Sequence, residues 1–351
     1  MIIGVDPHKL SHTATAIEPG TNTVKCTLRI DSSFADYRRL LLWGRQFDDR
    51  KWAVENARGL GRHLSQWLIA RGEVVIDVPS TATARVRELS RGGRRKNDVI
   101  DAAAAACVAA LQADPVLIVA DDHTTVCAML EERRSNVVGQ RVRVANQLHA
   151  MLRELIPGGV AKSITARSAS DALSSVRTVG SVERTRKSLA RDLVRELKAI
   201  DASLDSIQKQ MSEALAESGS RLEFIDGVGP VLAVRLIGRT GHASRFPSPH
   251  AFAAYTGTAP VEVASGEVSR HRLCRSGDRQ LNSAIHLVAV TQARMKNSLG
   301  RAYYEKKIAE GKTRNDAIRC LKRQLAAHIW KVMLADERRT STMRHQSKFA
   351  A

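Results

Sequence analysis

Short runs rich in β-branched residues alternate with helical repeats through the first 80 or so residues, and their order leaves few folds open. MIIGVD reads as a buried strand ending on Asp6, followed by the turn-like PHK. Residues 13–17 and 23–30 read as two further strands, with EPGTN turning the chain between them. Phe34, Tyr37, Leu40, Leu41 and Leu42 then recur at helical spacing. KWAVE is a fourth strand, ending on Glu55. RGLGRHLSQWLIARG is a helix with Leu60, Leu64, Trp67 and Leu68 on one face, EVVIDV is a fifth strand, and helical sequence resumes near Ser80. The first three strands can form an antiparallel meander. The later ones join it through right-handed crossovers into one mixed sheet.

That order is the one found in the ribonuclease H-like fold, an α/β architecture whose acidic residues stand at the ends of the first and fourth strands and on a late helix. Asp6 and Glu55 take the strand-end places, and RRKNDVIDAAAAA supplies the helix. Its alanine run has the best helix-forming composition available. Asp98 and Asp101, three apart, fall on one helical face with β-carbons roughly 5–6 Å apart. Such a pair is mildly destabilising unless a cation sits between the charges. Taken alone it is explained as well by the preference of carboxylates for a helix N-terminus. With Asp6 and Glu55 it points to a hard divalent cation held by oxygen, Mg2+ with Mn2+ as a substitute, in the chemistry of phosphoryl transfer. Arg94, Arg95 and Lys96, just before the helix, are candidate phosphate contacts. His8 and Lys9 flank Asp6; His8 has no partner pattern of a metal ligand, and Lys9 reads as readily as a solvated side chain.

Of the 351 residues, 55 are Lys or Arg and 36 are Asp or Glu, a formal charge of 55 − 36 = +19. A balance so basic points to a polyanionic partner, most simply nucleic acid. Aromatics make up only 4%, so phosphate contacts from arginine are expected in preference to base stacking. Cys26, Cys107, Cys127, Cys274 and Cys320 show neither zinc-ligand spacing nor a disulfide framework. With no signal peptide and no apolar stretch near the ~20 residues of a membrane span, the expectation is a cytoplasmic protein acting at the nucleoid, without membrane partners.

A stripe of Val126, Leu130, Val137, Val144, Leu148, Leu152 and Leu155 marks a long helix over residues 124–156, basic on its other face and stopped by PGG. Leu189, Leu193, Leu197, Ile200, Leu204, Ile207, Met211 and Leu215 mark a second, over 182–217. The two suit an intramolecular core or a coiled-coil arm for dimerisation, and the length of the insertion favours the arm. LEFIDGVGPVLAVRLIGRTG has the form of a helix-hairpin-helix element, with Gly227 and Gly229 allowing close approach to a phosphate. Downstream, Ser265 beside Gly266 precedes Arg270, Arg272, Arg275 and Arg279. A turn serine is the ordinary reading; the arginines suggest phosphate clamped near its hydroxyl.

GVDPHK, AVENARGLGRHL, RKNDVIDAAAAA, NQLHAMLRELIPGG, GVGPVLA, YTGTAP, ASGEV and SGDRQLN, in that order, resemble the blocks of the DEDD-type insertion-sequence transposases. These are the bridge-RNA-guided serine recombinases, relatives of the pilin-gene invertases, and the resemblance covers nearly the whole chain. It implies a RuvC-like metal-binding domain over 1–120, a helical coiled-coil arm over 121–220 and a mainly helical C-terminal transposase domain over 221–351. It places Asp6, Glu55, Asp98 and Asp101 on the metal tetrad and Ser265 on the serine that becomes linked to DNA. It further implies donor and target DNA, a guide RNA, and a homodimer assembling into a synaptic homotetramer with a composite site. Ala264 stands where many relatives carry a first serine, and Asp278 where asparagine is common, so no role is assigned to Asp278. Two other readings stay open: a RuvC-like junction nuclease using metal-activated water, and a non-catalytic nucleic-acid-binding protein on the same scaffold.

Overall fold

The computed structural model describes residues 1–89, 97–265, 268–273 and 277–349, with side chains described at all of these except 89, 261–265, 268–273 and 343–349. It divides into two compact units, Met1–Asp121 and Asp122–Ala351.

The first unit is built on a five-stranded sheet of order β3-β2-β1-β4-β5. Its strands are β1 (Ile2–Pro7), β2 (Ser11–Ile17), β3 (Val24–Asp31), β4 (Lys51–Glu55) and β5 (Val75–Val78). β1, β2 and β3 pair antiparallel, while β4 runs parallel to β1, and β5 parallel to β4. This is the mixed sheet the strand order demanded. Helices α1 (Phe34–Gly44), α2 (Arg62–Ile69), α3 (Ser80–Leu89) and α4 (Asp98–Leu111) cover it.

Strand alternation sorts the side chains by face. Ile3, Val5, Trp52 and Val54 pack with Tyr37, Leu40, Leu64 and Leu68 of α1 and α2. Ile2, Ala53, Ile76 and Val78 pack with Ala105, Ala106 and Val108 of α4. Asp6 shares the parity of Ile2, and Glu55 that of Ala53, so both belong to the α4 face. Three residues expected on apolar faces instead lie out in solvent: Phe34, Leu42 and Leu60. Leu60 precedes α2, which begins only at Arg62.

The second unit contains α5 (His123–Leu155), α6 (Ala166–Ser175), α7 (Gly180–Ser218), α8 (Pro230–Thr240), α9 (Pro249–Tyr255), the hairpin β6 (Pro260–Ser265) and β7 (Val268–Leu273), then α10 (Arg279–Arg294), α11 (Leu299–Ala309) and α12 (Arg314–Phe349). Glu154 pairs with Arg186 and Arg141 with Asp201, each at 2.6 Å, which fixes α5 and α7 as antiparallel neighbours. Val137, Leu148, Leu152, Leu197, Met211 and Leu215 from these helices are buried in the core of this unit. Each such side chain contributes roughly 1.5–3 kcal/mol of burial.

Where a helix-hairpin-helix was expected, α7 ends at a left-handed Gly219, and a single 3-10 turn, Leu222–Phe224, stands in place of the first helix. Gly227 (φ +79°) packs against α10: a Cβ there would meet Thr291 Cγ2 at 3.0 Å. The β6–β7 hairpin and α6 were not anticipated. The alternation in VEVAS and VSRHRL carried the hairpin signal, and α6 opens on a capping box between Thr165 and Ser168. Cys26, Cys107, Cys127 and Cys320 are free thiols. Among the described residues, no helix is long and apolar enough to cross a membrane.

Candidate metal centre

Asp6 sits at the C-terminal end of β1, in the middle of the sheet. β1 and β4 pair in register up to Val5 and Val54, so Asp6 and Glu55 are the next residues on adjacent parallel strands. The turn after β4 folds sharply: Asn56 takes a positive φ of 48°, and the Ala57 amide donates to Asp77 Oδ1 at 3.0 Å.

The helix that delivers the other two carboxylates is held by three features. Asn97 caps α4, its side chain accepting from the Val99 amide at 2.9 Å. Thr15 Oγ1 donates to the Val99 carbonyl at 3.4 Å. At Gly4, an added Cβ would lie 1.8 Å from the Ala102 carbonyl oxygen. Only a glycine on the strand and alanines on the helix let the two backbones approach so closely.

Within this frame, ligand atoms of Asp6, His8 and Asp98 all lie within 4.8 Å of one another. Asp6 is 8% exposed, and its Oδ2 has no hydrogen-bond partner among the described residues. Burial pushes its pKa up to about 6; the His8 charge opposes this, and the charges of Glu55, Asp101 and Asp98 add to it. A buried, unsatisfied carboxylate oxygen surrounded by further carboxylates is costly unless a cation arrives. The donor set, carboxylate oxygens with one imidazole, suits a divalent ion.

The four carboxylates are not equivalent. Asp101 is buried and hydrogen-bonded by the Arg87 guanidinium from α3. Asp98 is partly exposed, with Arg29 Nη1 at 3.5 Å. No hydrogen bond or ion pair partners the Glu55 carboxylate among the described residues. His8, set aside on sequence grounds, places Nδ1 3.6 Å from Asp6 Oδ2. Arg29, Arg87 and Asp77 also escaped the sequence reading. Their positions follow from the packing of α3, β3 and the β4–α2 turn, and not from any local pattern.

Other candidate residues stand as follows. Arg94, Arg95, Lys96 and Arg275 lie outside the described residues. Ser265 ends β6, paired with Val268 of β7, and Arg270 and Arg272 lie on β7; the side chains of these three lie outside the described residues. Gly229 is the N-cap of α8. Asp278, given no role, caps α10, its Oδ1 accepting from the Gln280 and Leu281 amides at 2.8 and 2.9 Å.

The chain is similar to known proteins over most of its length. Residues 3–157 match the DEDD transposase family of IS110, and residues 219–305 match the "Transposase IS116/IS110/IS902 family". The insertion element IS116 44.8 kDa protein of Streptomyces clavuligerus is 25% identical over 96% of this chain and 95% of its own length. The insertion element IS900 42 kDa protein of Mycobacterium paratuberculosis is 25% identical over 81% of this chain and 82% of its own. The transposase of insertion sequence element IS1328 from Yersinia enterocolitica is 25% identical over 59% and 62%. Among solved structures, Thermus thermophilus RuvC aligns at 16% identity over 33% of this chain and 99% of its own, with a TM-score of 0.25.

Proposed function

We propose that this chain is a transposase of the IS110/IS116 DEDD family, as its matches over residues 3–157 and 219–305 support, and that it cuts and rejoins the DNA of an insertion sequence through a serine–DNA intermediate. The observation that carries the metal half of this reading is the convergence of Asp6, His8 and Asp98, with Asp6 Oδ2 buried and without a hydrogen-bond partner among the described residues. Asp6, Glu55, Asp98 and Asp101 would hold Mg2+. Bound there, the ion supplies Lewis-acid neutralisation of charge developing on the scissile phosphate.

The chain's own contribution is placement. Asp6 and Glu55 come from adjacent strand ends, and α4 carries Asp98 to Asp6. Arg87 hydrogen-bonds the Asp101 carboxylate from α3 and orients it. Ser265 is the nucleophile in this reading, supported by its place in ASGEV and by the family resemblance. Its hydroxyl oxygen forms the bond to phosphorus as the bond from phosphorus to a deoxyribose oxygen breaks, and the departing oxygen takes up a proton. The reverse exchange, on a different strand, rejoins the DNA. A guide RNA and a homodimer that pairs into a tetramer complete the reading; the +19 charge suits the former without distinguishing RNA from DNA.

The test is a denaturing gel of the full chain with labelled element-end DNA and Mg2+. The native protein should carry label, and Ser265→Ala should not. An adduct that persists in Ser265→Ala sinks the serine assignment. Free 5′-phosphate ends with no protein attached would instead establish the metal-activated-water nuclease that the same carboxylates support. Strand transfer unchanged by Asp98→Ala and Asp101→Ala would remove the metal centre from the reaction. Sequencing of RNA that copurifies tests the guide: recovery of no discrete species rejects it.

A further inference from the structure

The second unit has a solvent-open cavity of about 370 Å³, a size usual for ligand pockets, between the YTGTAP segment and the start of α12. Lys312, Arg319, Lys322 and Arg323 line it with one carboxylate, Asp316, so the charged lining sums to 4 − 1 = +3. Asp316 is already engaged, accepting from Thr313 Oγ1 at 2.6 Å and from Arg319 Nη1 at 2.8 Å. Lys312, Lys322 and Arg323 make no ion pair within 4.0 Å among the described residues.

Two of these cations are held in place without being neutralised. Lys322 is 8% exposed, and its Nζ donates to Asn282 Oδ1 at 2.6 Å. Arg323 reaches His250 Nδ1 at 3.0 Å through Nη2, while its Nη1 is buried with no hydrogen-bond partner. Burial and the nearby Arg319 charge push the Lys322 pKa down, as expected of an ammonium without a counter-ion. Leaving such groups uncompensated is costly, and an arriving anion offsets the cost.

The opposite wall is fixed by two sequence blocks to which the metal centre gives no role. Asn282 Nδ2 donates to the carbonyls of Thr256 and Gly257 at 3.0 and 2.9 Å, and the Asp278 amide donates to the Tyr255 carbonyl at 2.8 Å. A Cβ on Gly277 would lie 2.3 Å from the Gly257 nitrogen, so only glycine fits. SGDRQLN therefore clamps YTGTAP, and the same Asn282 holds Lys322.

We propose that this cavity is a seat for a backbone phosphate of the nucleic acid the transposase handles, with Lys312, Lys322 and Arg323 as its cations. The seat is tied to the reacting strand through the chain itself. Pro260 lines the cavity and opens β6, which Ser265 closes five steps later. At 3.3–3.4 Å per residue that is about 17 Å, so a strand seated in the cavity is held within a few nucleotides of the serine. The inference rests on the chain being a transposase and does not require Ser265 to be the nucleophile.

Cys320 lines the same cavity and serves as the probe. The full chain is alkylated with N-ethylmaleimide alone, with duplex DNA, with its single strand and with RNA of that sequence. The rate at each cysteine is read by peptide mass spectrometry. At ten times Kd, a nucleic acid that fills the cavity slows Cys320 alkylation about tenfold, while Cys26, in the first unit, keeps its rate. Whichever nucleic acid protects identifies the strand seated there.

Lys312→Glu with Arg323→Gln should abolish the protection and lower the slope of log Kobs against log salt by about one, the loss of one phosphate contact. Lys312 is exposed, so Lys312→Glu alone carries the same readout should the double variant unfold. Cys320 alkylated equally fast under all conditions, or protected as fully in the variants, overturns the proposal. Failure of the serine reading is separate: it removes the DNA adduct and leaves this protection intact.

Discussion

Gly4 of β1 lies so close beneath Ala102 of α4 that a single methyl group would fall 1.8 Å from the Ala102 carbonyl oxygen. This contact sets the height of α4 over the sheet, and with it the reach of Asp98 to Asp6. Gly4→Ala should therefore lift the helix, costing about 1–3 kcal/mol and weakening divalent-ion binding together with stability. Chemical denaturation and calorimetric Mn2+ titration read the two effects. Gly20→Ala, where a Cβ meets nothing within 4 Å, should change neither.

Burial makes the ionised Asp6 carboxylate costly, and repulsion from Glu55, Asp101 and Asp98 adds to that cost. Asp6→Asn removes that repulsion, so the metal-free variant should be at least as stable as the native protein while Mn2+ binding is lost. A variant clearly less stable without metal would show that the carboxylate is held by contacts stronger than the repulsion. Thermal unfolding in EDTA, beside the Mn2+ titration, decides it.

Arg87 neutralises Asp101, which is 4% exposed. Arg87→Ala leaves that carboxylate buried without its cation and should cost roughly 1–3 kcal/mol. Millimolar Mg2+ should recover part of the loss, since a bound cation supplies the missing charge. Denaturation midpoints with and without Mg2+ measure the rescue.

His12 is 2% exposed on β2, its Nε2 within 3.0 Å of Ser32 Oγ and 3.1 Å of Tyr37 Oη. Burial, reinforced by the charges of His8 and His63, pushes its pKa down to about 4. Between its unfolded value near 6.5 and this folded value, the unfolded chain binds more protons. Stability is therefore fully present above pH 6.5 and falls as the pH drops toward 4, by up to about 3 kcal/mol. Urea midpoints across pH 7.5 to 4.5 should show the decline in the native protein and a shallower one in His12→Gln.

The antiparallel α5–α7 pair tests which part of each apolar stripe is core. Leu148 and Leu197 are fully buried, so either changed to alanine should cost about 2–5 kcal/mol. Leu189, on the same predicted stripe but 46% exposed, should cost less than about 1 kcal/mol. Denaturant unfolding separates the cases.

Much of the first unit was legible because strand period and helix period are local properties. KWAVE is β4 to the residue, and alternation alone places Asp6 with Ile2 and Glu55 with Ala53 on one face of the sheet. The second unit was less legible. Its helix stripes were read, yet Val126 and Leu189 on them are exposed, and the supposed helix-hairpin-helix has one 3-10 turn for its first helix. Periodicity says that a side chain faces something, not what it faces.

The sequence by itself determined the strand order, the parity that turns Asp6 and Glu55 toward one face, and the pairing of Asp98 with Asp101 on one helical turn. Only the tertiary structure decided that α4 settles onto β1 at Gly4, that His8 joins the carboxylates and that Arg87 takes Asp101. It alone showed that Lys322 and Arg323 meet the YTGTAP turn in a basic cavity. The reason is physical: periodicity is fixed by residues three or four apart, whereas charge balance in a site depends on segments that meet only after the chain has packed.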